Sequence, residues 1–264
     1  MHRPKTATER EWLAKRKRLL TKEKELTRLK DRVSAQRRKL PWVKVEKEYV
    51  FDGPNGKETL ADLFAGRSQL LTYHFMFGPE WEEGCPSCSF ISDHLDGTVA
   101  HLAQRDVTLT VVSRAPLAKI EPFKKRMGWR FKWVSSFGSD FNFDYHVSFK
   151  KEEVAKGKVA YNYKMSDDVN DELPGASVFA KDADGDVFHT YSTYERGVEV
   201  LMGTYALLDM VPKGRDEEEL DFPMAWLRHH DRYGGAPIKL QTSKSATATA
   251  SRSSKKSPHS HSHH

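Results

Sequence analysis

The run Ser68-Gln69-Leu70-Leu71-Thr72-Tyr73-His74-Phe75-Met76-Phe77 is apolar and aromatic over the length of a sheet-crossing strand, and Gly78-Pro79 closes it. An acidic loop follows, Glu80-Trp81-Glu82-Glu83-Gly84, and then Cys85-Pro86-Ser87-Cys88. From Pro86 onward Phe90, Ile91, His94, Leu95, Val99 and Leu102 recur at helical spacing. Val107 to Val112 is a second buried strand. Strand, helix and strand in this order predict a parallel pair joined by a right-handed crossover, hence an α/β chain with a central sheet flanked by helices.

Cys85 and Cys88 are the only cysteines of the chain. A C-x-x-C pair alone is a weak signal; at the start of a crossover helix it reads as a thioredoxin-like redox site. Pro86 suits the first helical position, where its missing N–H costs nothing, and Cys85 then falls at the N-cap. The thiolate is the attacking species in disulfide exchange, and a helix N-terminus favours it. Cys85 is therefore expected to attack and Cys88 to resolve the mixed disulfide. Glu80, Glu82 and Glu83 oppose this to an extent set by where their side chains point. Two other readings stay open. One is a pair of buried, inert cysteines; the other is a metal site built from thiolates with His74, His94 or His101, though no second C-x-x-C completes a set of four.

With 264 residues, 38% hydrophobic and 11% aromatic, the chain can bury a real core. Two cysteines make no disulfide framework, which points to a reducing, cytoplasmic setting. The charged N-terminus lacks the apolar stretch of a signal peptide, and no apolar run is long enough to span a membrane. The net charge of +6 hides a division: residues 1–40 hold 15 basic and 5 acidic side chains, residues 241–264 hold 4 basic and none acidic, and the rest is net −8. Docking of a basic arm on an acidic body accounts for this more simply than nucleic-acid binding, for which no motif is present.

The chain divides into a basic N-terminal helix (1–41), a main domain (42–233) and a low-complexity tail (234–264) expected to be disordered. Thr8-x-x-Glu11 is a capping-box start for the helix, and Pro41 ends it. Trp12, Leu19, Leu26, Val33 and Leu40 recur every seventh residue, a stripe that fits packing on the helix's own domain or, less simply, a homodimer contact. Within the main domain, Val43 to Phe51 reads as one short strand before a turn at 52–56, and Thr59 to Phe64 as a short helix. Leu117 to Met127 reads as an amphipathic helix, Trp133-Val134 as a strand, and Glu195 to Leu208 as a single helix. Ala176–Phe179 and Asp186–Tyr191 form a hairpin around Asp182 to Gly185, which is a turn rather than a calcium loop. The aromatic stretch 137–145 reads as a cover over the core in preference to a substrate loop.

Several strings together resemble domain-of-unknown-function family 899. They are Pro41-Trp42-Val43-Lys44-Val45, Tyr73 to Pro79, Gly84 to Phe90, Ser113-Arg114-Ala115-Pro116-Leu117, Gly128-Trp129-Arg130-Phe131, Gly138 to Asp144 and Phe188 to Tyr194. The resemblance spans about residues 9–233. It implies a thioredoxin-like fold on the peroxiredoxin side of that superfamily, without implying an activity. Thioredoxin-like proteins set a cis-proline beside the dithiol, and Pro174 is the matching position. Peroxiredoxins set a Thr three residues before the reactive Cys, where this chain has Glu82, which argues against a thiol peroxidase. The expected function is a thiol–disulfide oxidoreductase with Cys85 and Cys88 catalytic and with Trp81, Pro86, Ser87 and Pro174 contacting substrate. The substrate would be a disulfide-containing protein or a small-molecule thiol, with no metal or cofactor. A non-redox protein on the same scaffold, binding a metal or a protein partner, is the alternative.

Overall fold

The computed structural model describes residues 5–167 and 170–234. The chain opens with α1 (Glu9–Arg37), whose Thr8 capping box forms as the sequence predicts. Then come β1 (Val43–Lys44), β2 (Val50–Gly53), β3 (Gly56–Thr59), a 3-10 turn at Asp62–Phe64 and β4 (Gln69–His74). The central part comprises α2 (Pro86–Leu95), α3 (Val99–Ala103), β5 (Val107–Ser113), α4 (Leu117–Arg126), β6 (Lys132–Ser135), α5 (Phe141–Asp144) and α6 (Lys151–Ala155). The last part comprises β7 (Val159–Tyr161), β8 (Lys164–Ser166), β9 (Gly175–Lys181), β10 (Val187–Tyr194) and α7 (Gly203–Leu208).

Eight strands form one mixed sheet in the order β1-β10-β9-β4-β5-β6-β2-β3. β4, β5 and β6 run parallel, joined through α2–α3 and α4, and β9 returns antiparallel to β4 with β10 beside it. A parallel strand–helix–strand carrying the dithiol at its first turn, followed by an antiparallel hairpin on the other side of the first strand, is the thioredoxin-like arrangement. β4 is thus central. Its side chains alternate, so Tyr73 and Phe75 enter the core on the α2 face while Leu70 enters the core on the other.

Four expectations are corrected. Val43 to Phe51 is not one strand: β1 pairs with β10 at one edge of the sheet and β2 with β3 and β6 at the other. Glu195 to Leu208 is a 3-10 segment (Glu195–Leu201) followed by α7, broken at Met202, whose backbone leaves the helical region. The helix after Cys85 is likewise interrupted by a 3-10 turn at Asp96–Thr98. The stripe on α1 does not pack on the domain: none of its residues is buried, and Trp12, Leu19, Leu26 and Val33 all stand exposed. The aromatic cover is as expected for Phe141 and Tyr145, which are buried, and not for Phe137, which is exposed. The disorder expected of the tail falls outside the described residues, Gly234 excepted. No helix among the described residues is long and apolar enough to cross a membrane.

Candidate active site

β4 ends at His74, and the next residues are held by their backbones. Phe75 N–H donates to Val112 O (2.9 Å) and Ala115 N–H to Phe77 O (2.7 Å). Met76 pairs back to both cysteines: Cys85 N–H donates to Met76 O (3.1 Å), and Met76 N–H donates to the Cys88 sulfur (3.4 Å). The dithiol is therefore built onto the end of the central strand. Cys85 is the N-cap of α2 and Pro86 its first residue, as predicted.

The two sulfurs are pulled in opposite directions. The Cys85 thiol is lowered from its ordinary range, first by the Cys88 side chain donating to it and then by the N–H groups of Cys88 and Ser87, against the opposing effect of burial. The Cys88 thiol is pushed well above the ordinary range by burial and by the neighbouring Cys85. Of the two thiols, Cys85 is thus the one more readily ionised. Both are free thiols, 4% and 1% exposed.

The acidic loop does not oppose the Cys85 thiolate through Glu83. That carboxylate accepts from Arg126 Nη1 (2.6 Å) and from Arg232 Nη1 (2.7 Å) and Nη2 (2.5 Å). These bonds outweigh its burial and hold it ionised below its usual range. Arg126 also donates to His229 Nδ1 (2.8 Å), and His229 Nε2–H donates to Gly84 O (2.8 Å). The imidazole is buried, and burial keeps it neutral, as one accepting and one donating nitrogen require. The segment 223–232 is thus strapped over the residue that precedes Cys85. Lys119 Nζ fixes the other side of the loop on Pro79 O (2.7 Å) and Trp81 O (3.1 Å).

Gly84 is where this loop passes closest to the core. A Cβ there would lie 2.6 Å from Phe75 Cε1 and 2.8 Å from Phe123 Cε1. Both rings are locked in the aromatic cluster, so neither yields cheaply. Gly84→Ala is expected to destabilise the fold by about 1–3 kcal/mol, read as a lower denaturant midpoint with unchanged slope. An unchanged midpoint would show that the loop is slack.

A cavity of about 490 Å³ opens beside the dithiol. Ser87, Cys88 and Pro174 line it together with an apolar floor that includes Met76, Ile91 and Met202. Arg196, Arg215, Glu199 and Glu217 stand among the lining and are largely paired with one another and with neighbours. Of the four expected substrate contacts, Ser87 and Pro174 reach this cavity. Trp81 and Pro86 do not: both are buried, Trp81 among the core aromatics beneath the loop and Pro86 in the first turn of α2. No described peptide bond is cis, so Pro174 meets the dithiol as a trans-proline, its carbonyl accepting from Tyr161 Oη (2.5 Å).

Of the histidines considered as metal ligands, His94 and His74 are engaged elsewhere, and His101 stands exposed on α3. His94 accepts from Thr204 N–H (3.0 Å), and its Nδ1–H donates to Phe90 O (2.7 Å). His74 lies on the opposite face of the sheet from the dithiol. There Nε2 bonds Ser177 Oγ (2.8 Å), which bonds Ser192 Oγ (2.8 Å), which bonds His189 Nε2 (2.8 Å). Among the described residues no three His, Cys, Asp or Glu side chains converge as a metal site.

The sequence profile of a bacterial protein of unknown function (DUF899) matches residues 1–233. The chain belongs to the DUF899 family. No curated protein sequence matches it. Solved structures similar to this DUF899 protein include a mutant of peroxiredoxin Q from Xanthomonas campestris, at 14% identity and a TM-score of 0.39 over 61% of this chain and 89% of that one. Peroxidoxin BcpB of Mycobacterium tuberculosis aligns at 12% identity and a TM-score of 0.38, over 62% and 91% of the two chains. A Chlorobium tepidum protein described as a DsbE thiol:disulfide interchange protein aligns at 13% and 0.36, over 64% and 97%. In this DUF899 protein Arg126, His229 and Arg232, which meet Glu83 and Gly84, and Asp231, which meets Arg126, had no signal in the sequence, because each of these contacts spans more than 40 residues of chain.

Proposed function

We propose that this DUF899 protein is a thiol–disulfide oxidoreductase acting on small disulfides, with Cys85, outside the lining of the cavity, as the attacking thiol and Cys88 open to the cavity beside it. The observation that carries the reading is the placement of the dithiol, with Cys85 at the N-cap of α2, Cys88 one turn in, and both tied to the Met76 backbone at the end of the central strand; the opposed pull on the two thiols agrees with it. The Cys85 thiolate attacks one sulfur of a disulfide R–S–S–R, and the first R–S⁻ leaves with a proton. Cys88 then attacks the Cys85 sulfur, and the second thiol leaves. The products are two R–SH and an internal Cys85–Cys88 disulfide, which an external thiol must reduce before the next turnover. A reducing compartment such as the cytoplasm suits that last step.

The burial of both sulfurs favours a small molecule over a folded protein surface. A cavity of about 490 Å³ holds a small ligand, whereas a folded partner would have to displace the strap at 223–232. The test is the reduction potential of the pair, by equilibration with glutathione, thiol labelling and mass spectrometry. A reversible two-electron transition between about −120 and −270 mV is expected. Failure to form the disulfide at any poise would overturn the reading and leave the pair as buried, inert cysteines.

A further inference from the structure

Tyr73 stands on β4 between Val111 and Ala176 of the flanking strands and is wholly buried. Its hydroxyl has no well-aligned hydrogen-bond partner among the described residues, although it lies within interaction range of the Cys88 sulfur. A buried hydroxyl left unpaired is costly, and a phenylalanine would fill the same place without that cost. The strongest interaction of this hydroxyl with another side chain is with Cys88. Both side chains belong to the same buried cluster, and in the reduced dithiol the Cys88 S–H is directed to Cys85.

We propose that Tyr73 is the positioning residue of the resolving step, its O–H turning to donate to the Cys88 sulfur when that sulfur becomes a thiolate. The inference rests on the oxidoreductase reading above. Once Cys85 is bound in a mixed disulfide, it no longer receives the Cys88 proton. Cys88 must then ionise beside a cavity whose floor is Met76, Ile91 and Met202. The charged rim of that cavity, Glu195, Arg196, Glu199, Arg215 and Glu217, is taken up in ion pairs and hydrogen bonds. An anion there needs donors, and those within reach are Met76 N–H and Tyr73 O–H. The tyrosine keeps its own proton throughout and is not the base. Cys88 loses its proton to water before it attacks; as the Cys85–Cys88 bond forms and the Cys85–S–R bond breaks, R–S⁻ departs and takes up a proton from water.

The test uses the full-length reduced protein and a chromogenic nitrobenzoate disulfide, followed by stopped flow. Release of the first coloured thiol reports attack by Cys85, and release of the second reports resolution by Cys88, an assignment fixed by its loss in Cys88→Ser. In Tyr73→Phe the first phase should be unchanged. The second should slow on the order of tenfold to a hundredfold, with its pH midpoint moved upward. Thermal stability should be equal to the parent or higher, since the substitution removes only an unpaired hydroxyl. An unchanged second phase, or a loss shared equally by both phases, overturns the role of Tyr73 alone. A parent protein that releases no second thiol overturns the oxidoreductase reading and this inference with it.

Discussion

Cys85→Ser should abolish reaction with disulfides, whereas Cys88→Ser should keep the first step and stop there as a stable mixed disulfide. A serine hydroxyl at the α2 N-cap is not ionised at neutral pH, so the N–H groups of Ser87 and Cys88 that favour the thiolate have no anion to stabilise. The rate of first attack is expected to fall about a thousandfold or more, as for loss of any covalent nucleophile. Cys88 is a poor substitute, being held as a thiol by burial. It does line the cavity, so the inverse result is a meaningful alternative. Trapping by Cys85→Ser with silence from Cys88→Ser would reverse the assigned roles. The measurement is intact-protein mass spectrometry after brief exposure of each variant to an excess of oxidised glutathione. Adduct formation in both variants to equal extents would show two independently reactive thiols and no relay.

The dithiol was legible in the sequence because everything that makes it is local. An apolar run ended by Gly78-Pro79, a proline at the first helical position and a cysteine before it specify their own conformations within 20 residues. The sites that were not legible depend on partners far away in the chain. Val43 to Phe51 alternates as one strand would, yet its two halves choose opposite sheet edges, because β10 and β6 compete for them and the pattern of side chains is the same in either pairing. Ser177 and Ser192 are unremarkable in sequence, and only the β9–β10 register, which sets them opposite each other, makes them a bridge between His74 and His189. Trp81 was expected at the surface from its place beside the cysteines, but a ring of that size finds more apolar contact under the loop than on it. The stripe on α1 misled for the converse reason: heptad spacing states that a helix has an apolar side and says nothing of what covers it.

Acidification should expose a stability loss specific to His74. The ring is 1% exposed, lies against Phe141 at 5.6 Å and is stacked on Tyr145 at 6.2 Å. Its Nε2 reaches Ser177, while Nδ1 has no partner among the described residues. Burial, with a smaller contribution from His189, depresses its pKa to about 3. An unfolded chain protonates the same ring near pH 6.5. Between those two values the unfolded state binds a proton that the native state refuses, so acid draws the equilibrium towards unfolding. Above pH 6.5 neither state is protonated and the group contributes no slope. At pH 4.5 the loss is about 2–3 kcal/mol. Glu172 acts in the opposite sense: burial raises its pKa to about 7, so it withdraws stability as pH rises from the ordinary carboxylate range through 7. Between pH 4.5 and 6.5 the two slopes nearly cancel in the parent protein, which makes the difference between variants the informative quantity. Denaturant unfolding of the parent and of His74→Gln at pH 7.5 and pH 4.5 provides it. The variant should be the less stable at pH 7.5, through lost packing, and should lose about 2–3 kcal/mol less than the parent between the two pH values. Equal losses would mean that His74 is protonated in the native state, with an acceptor brought to Nδ1 by a rearrangement of the Phe141–Tyr145 face.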